Sequence, residues 1–209
     1  VHFVAEKFKL EQDGVVCSDS SATDTEGDHE DDGCEDFKTN PQFVDLPLDG
    51  SALQAVQDSV PAGVYTKLKF EINDIAFGED EEQEHQAHQA LIDEIKSQFP
   101  DWPNESSMYV EGYFKPANGD SARAFRVFAE AEINIEMEFN PPITVDETTA
   151  AKDLTINVDP KAWFKKTDGS VYDLSEYDYD QTGRVLEFEM KAHDGFTKVE
   201  AEDDHHSED

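Results

Sequence analysis

The densest chemistry in this chain is carboxylate. Asp19, Asp24, Glu26, Asp28, Glu30, Asp31, Asp32, Glu35 and Asp36 crowd one stretch that contains no Lys or Arg. Calcium takes about six to eight oxygen ligands in flexible geometry, and closely spaced carboxylates on a loop can supply them. Asp24, Glu26, Asp28, Asp31 and Asp32 are the candidate ligands, and calcium is the candidate cofactor. The register of an EF-hand and its terminal glutamate are absent, so a cation here would sit in an irregular site. The same residues also suit a solvated loop adapted to salt. A second candidate metal pair is His85 and His88, three residues apart near Glu81 and Glu84, a spacing that puts both imidazoles on one helix face. The pair lacks the His-Glu-x-x-His order of a zinc protease, and the plain alternative is a polar helix face.

Cys17 and Cys34 are the only cysteines, and they flank the acidic stretch. Two cysteines closing one polar loop point to a disulfide in an oxidising compartment. For catalysis, carboxylates are so numerous that no single pair is informative. There is no Gly-x-Ser-x-Gly, no phosphate-binding glycine loop and no Cys/His nucleophile pair, so the expectation is a protein that is not an enzyme. Trp102, Trp163, Tyr172, Tyr177 and Tyr179 offer a possible sugar-stacking platform, against a plainer role in core and rim. Asn104-Glu105-Ser106 matches a glycosylation acceptor.

The elements that would hold these residues are mostly strands. Val1–Leu10 reads as a strand, as do Gln42–Leu48 and Met108–Phe114. Thr66, Leu68, Phe70 and Ile72 alternate with Tyr65, Lys67, Lys69 and Glu71, a half-buried strand. Phe125, Val127, Ala129, Ala131, Ile133, Ile135, Met137 and Phe139 all hold odd positions, while Glu130, Glu132, Asn134, Glu136 and Glu138 fill most of the even ones. That predicts one long strand buried on one side. Further strands are expected at Ile143–Val145, Leu154–Val158, Val185–Met190 and Phe196–Val199. Ser51–Asp58 reads as two helical turns, and Asp159–Phe164 as one. Ala87, Leu91, Ile92, Ile95 and Phe99 recur at helical spacing, and Pro100 ends that helix.

The expectation is therefore an all-β fold, an antiparallel β-sandwich of eight or nine strands with one inserted amphipathic helix. A single domain would span 1–209, with an acidic loop insertion at 17–36, a helical insertion at 79–99 and an acidic tail at 200–209. The net charge is −34, from 50 acidic and 16 basic side chains, and it is not confined to those three acidic segments. Without residues 19–36, 79–84 and 200–209, the other 175 residues still carry 30 acids against 16 bases. Such a field repels nucleic acid and anionic membranes, and suits saline surroundings, bound divalent cations or a basic partner. No apolar run approaches the length of a membrane span. The chain starts at Val1 rather than Met, as a mature exported product would.

Two segments carry a resemblance. Phe43-Val44-Asp45-Leu46-Pro47-Leu48-Asp49-Gly50, followed by Val60-Pro61-Ala62-Gly63-Val64-Tyr65-Thr66-Lys67-Leu68, resembles an uncharacterised family of exported bacterial and archaeal β-sandwich lipoproteins. Phe128–Phe139, Pro141–Asp146 and Asn157-Val158-Asp159 with Trp163-Phe164 are similar to companion segments of that family. The resemblance implies a surface β-sandwich, with a possible lipid anchor on the precursor, and no particular activity.

These readings converge on a non-catalytic structural or adhesive protein outside the cell or on its surface, such as a filament subunit with cation-bridged carboxylates. Its partners would be further copies of itself or other surface proteins. The N-terminal strand, with Phe3, Val4, Phe8 and Leu10, is the candidate assembly strand, since it could add to a neighbour's sheet edge. The competing expectation is a calcium-stabilised binding module for carbohydrate. A secreted metal-dependent hydrolase comes third.

Overall fold

Where apolar residues alternate, the chain forms strands. In order these are β1 (His2–Gln12), β2 (Phe37–Lys38), β3 (Gln42–Asp45), β4 (Gly63–Ile72), β5 (Met108–Phe114), β6 (Arg123–Glu130), β7 (Ile133–Val145), β8 (Lys152–Val158), β9 (Leu186–Glu187) and β10 (Phe196–Asp203). The helices are α1 (Glu82–Gln98), α2 (Pro160–Trp163) and α3 (Tyr179–Thr182), with a 3-10 turn at Leu174–Tyr177. These elements belong to a computed structural model that describes residues 1–12, 37–73, 82–146, 152–187 and 195–203.

The strand-rich expectation holds, but its finer form is corrected. Eight strands make one open sheet along the path β7-β4-β1-β5-β6-β9, with β2 and β3 also paired to β1. The sheet is mixed, because β9 runs parallel to β6. The direction has a local cause. Asp178 accepts a hydrogen bond from the Arg126 backbone N–H midway along β6. The chain then advances along that strand and sets Leu186 beside Ala129. The other two strands, β8 and β10, form a separate antiparallel ribbon.

Successive strand residues point to opposite faces of a sheet, and β1 shows it directly. Phe3 and Ala5 join one buried cluster with Leu68, Phe70, Ile72, Val127 and Ile135. The ribbon lays Ile156, Val158, Phe196 and Val199 on that side. Val4, between them, joins a second cluster with Leu91, Ile95, Trp102, Tyr109 and Phe128. Helix α1 covers this other face. Leu91 and Ile95 stand one turn apart and are both buried, with Phe99 half-buried a turn further on. Full burial of a side chain such as Ile95 contributes about 1.5–3 kcal/mol. Pro100 stops the helix, having no N–H to continue it.

Two further expectations change. The alternation from Phe125 to Phe139 is cut at Ala131-Glu132, and its halves serve different partners, β6 beside β5 and β7 beside β4. The cut is held by a buried serine. Ser107 Oγ donates to the Ala131 carbonyl at 2.8 Å and accepts from the Ala131 N–H at 2.7 Å. Ser51–Asp58 forms no helix; Leu53 is exposed there and only Val56 is half-buried, so little packs on the segment. Two helical turns without packing are marginal in water.

Candidate functional site

The first cluster of charged groups lies on the outward face of β1, β4 and β7. Register puts Glu11, Lys67 and Glu138 in one row across the strands, and Lys9, Lys69 and Glu136 in the next. Lys67 Nζ is 2.6 Å from Glu136 Oε1, and Lys69 Nζ is 2.8 Å from Glu11 and 3.3 Å from Glu136 Oε2. The hydrogen bond to Glu136 raises the pKa of Lys67, and that to Glu11 raises the pKa of Lys69. The Lys67 ammonium in turn holds Glu136 below the usual carboxylate range. Exposed pairs of this kind stabilise little one by one. Their effect is to fix register and to occupy the basic side chains with carboxylates of the same chain.

The second cluster surrounds His2 and Arg126 on the α1 side of the sheet. The His2 ring stacks on Phe43 at 5.6 Å and meets Phe99 edge-on at 5.0 Å. Its Nδ1 is buried and stands 3.3 Å from Asp45, without hydrogen-bond geometry. Burial lowers the His2 pKa, against the opposing pull of Asp45 and Glu111. Tyr109 donates its hydroxyl to Glu111 at 2.7 Å. Burial first, then that carboxylate, push the phenol well above its ordinary value. Arg126 lies over the rings of Phe128 and Tyr179 and pairs with Asp101 at 2.7 Å and with Asp180. Burial opposes its charge, but hydrogen bonds to both aspartates outweigh burial and raise its pKa. The aromatic rings and ion pairs here bind α1 and α3 to the sheet.

A third feature is a shallow cleft of about 30 Å³ between β1, the turn after β2 and α1, lined by Glu6, Lys7, Thr39, Asn40, Pro41, Ala87 and His88. His88 is therefore placed beside Lys7 and Glu6. His85 lies in α1, but its side chain is outside the described residues. Asp24, Glu26, Asp28, Asp31, Asp32, Cys17 and Cys34 also fall outside them. Among the described residues no three His, Cys, Asp or Glu side chains converge as a metal site.

The candidate assembly strand is interior. β1 pairs with β4 and β5 along one edge and with β2 and β3 along the other, and Phe3, Val4 and Leu10 are buried, with Phe8 packed against the core. Both of its edges are filled by this chain, which corrects the expectation that it joins a neighbour's sheet. The proposed sugar platform is also dispersed. Trp102 and Trp163 are buried in the clusters on opposite faces, while Tyr172 and Tyr177 are exposed. Aromatic spacing in a sequence gives no sign of which sheet face each ring will reach.

The structure adds groups that the sequence reading had not singled out. Asp178, buried, accepts from the Arg126 N–H at 2.9 Å and from Gln181 Nε2 at 2.9 Å. Arg123 pairs with Asp173 and lies over Phe114. The lysine rows were legible as alternation in β4, facing the glutamate alternation of β7; the Arg126 cluster, drawn from three distant segments, was not. No helix among the described residues is long and apolar enough to cross a membrane. Comparison with family models, with curated proteins and with solved structures gives no match.

Proposed function

We propose that this chain is a non-catalytic structural or adhesive subunit of an extracellular or cell-surface assembly, such as a filament, in saline or calcium-containing surroundings. The observation that carries this reading is the disposition of charge. The chain has 50 acidic and 16 basic side chains, and Lys9, Lys67, Lys69, Arg123 and Arg126 are all engaged by its own carboxylates. The excess negative charge is thus left for mobile ions, bound cations or a neighbouring molecule to neutralise. We read the β8–β10 ribbon as the reduced second layer of a β-sandwich, in keeping with the resemblance to exported lipoproteins.

Solution scattering with and without calcium and salt tests the proposal. Oligomers that form as salt or calcium is added are expected, and monomers under every condition contradict it. The competing reading, a carbohydrate-binding module stabilised by calcium, is favoured by the exposed rings of Tyr172 and Tyr177. A glycan array separates the two, since a structural subunit retains no saccharide.

A further inference from the structure

One short element gathers basic side chains between two aspartates, Asp159 and Asp168. Lys161, Lys165 and Lys166 fall within six residues that contain no acid, and all three are exposed. The chain between Phe164 and Tyr172 is a tight hairpin. Lys165 bridges to Val171, the Lys166 N–H donates to the Ser170 carbonyl at 2.7 Å, and the Tyr172 N–H donates to the Phe164 carbonyl at 2.9 Å. At its tip Gly169 adopts a φ of 82°, a left-handed conformation that glycine takes without strain. Asp168 accepts from the Ser170 N–H at 2.9 Å and from its hydroxyl, tying the tip further. The hairpin's base is fixed on both sides, by Trp163 and by Leu174, both buried in the core. What it presents outward is apolar as well as basic. Val171 is 54% exposed and Tyr172 is 37% exposed, with Lys166 Nζ 5.2 Å from the Tyr172 ring.

We propose that this hairpin is an assembly contact that docks on the acidic surface of a second copy of the chain. The inference rests on the structural-subunit reading and deepens it. Three observations select the occupant. The hairpin is ordered in the free chain, so little freedom is lost on binding. Its lysines and exposed Val171 and Tyr172 match a carboxylate-rich surface with an apolar contact at the centre, and the body of a chain of net charge −34 offers such carboxylates. A symmetric hairpin-to-hairpin contact would bring six lysines together, so the joint is head-to-tail. Head-to-tail contacts generate rings or open filaments.

The test is sedimentation of the full chain in moderate salt, comparing wild type with the K165E/K166E double variant and with Val171→Ser. The lysines and the valine are exposed, and circular dichroism checks that the fold is kept. The double variant is expected to self-associate at least tenfold more weakly, and Val171→Ser less drastically so. Because the variant keeps its acidic surface, adding it to wild type should shorten the oligomers by capping one end. Oligomers indifferent to the double substitution would overturn the hairpin contact and leave the structural-subunit reading intact. A wild-type chain that stays monomeric at every salt and calcium level would overturn both. Lysine-dependent binding to anionic lipid vesicles without self-association would also overturn the proposal.

Discussion

At the scale of single residues, a few buried polar groups decide how the strands meet. Ser107 is fully buried, and its hydroxyl satisfies both the N–H and the carbonyl of Ala131 at the break between β6 and β7. Removing one partner from a buried pair costs the desolvation of what is left behind. Ser107→Ala is therefore expected to lower stability by about 1–3 kcal/mol in urea unfolding. His2 gives a pH dependence whose sign follows from its environment. Burial depresses its pKa in the folded chain, with Asp45 and Glu111 facing it and pulling the other way. The fold thus favours the neutral ring. That stabilisation is complete above the unfolded value of about 6.5 and is lost as pH falls through the lower folded value. Thermal unfolding of wild type should weaken over that interval, and His2→Phe, which cannot titrate, should weaken less.

At the scale of elements, packing against a neighbour determines which sequence patterns become structure. Ile95 of α1 is 1% exposed against the aromatic cluster, and Ile95→Ala should cost about 2–5 kcal/mol by urea unfolding. Gly195, at the entrance to β10, leaves no room for a methyl group: a Cβ there would lie 1.8 Å from Trp163 Nε1. Gly195→Ala should therefore displace the tryptophan and loosen the ribbon, seen as a red shift of tryptophan fluorescence and a lower melting temperature. The same logic explains what the sequence could reveal. β4 and α1 were legible because alternation and helical spacing record which side of an element is buried. The break at Ala131-Glu132 was hidden because odd residues stay inward through it, and the device that makes it, Ser107, lies more than twenty residues away. The interior position of β1 was hidden for a related reason. Apolar residues show that a strand is buried on a face and say nothing of which strands occupy its edges. Ser51–Asp58 misled because intrinsic helical character without a packing surface is too weak to form a helix. The Arg126 cluster was illegible for lack of any local pattern, since Asp101 precedes Arg126 in the chain and Asp180 follows it by 54 residues.

At the scale of the whole molecule, charge dominates. Ion pairs across the sheet neutralise carboxylates locally, but 50 acidic against 16 basic side chains leave a large negative excess, so the field falls on the surroundings. Screening changes that field greatly, with a Debye length of ~30 Å at ~0.01 M salt and ~3 Å at ~1 M. Thermal unfolding of the purified chain in dilute buffer with chelator, repeated as sodium chloride is raised to ~1 M, measures this dependence directly. The account predicts a melting temperature that climbs by about 10 °C or more across the series, the equivalent of several kcal/mol for a chain of this size. A melting temperature that is already high in dilute, metal-free buffer and stays level as salt is added would contradict it.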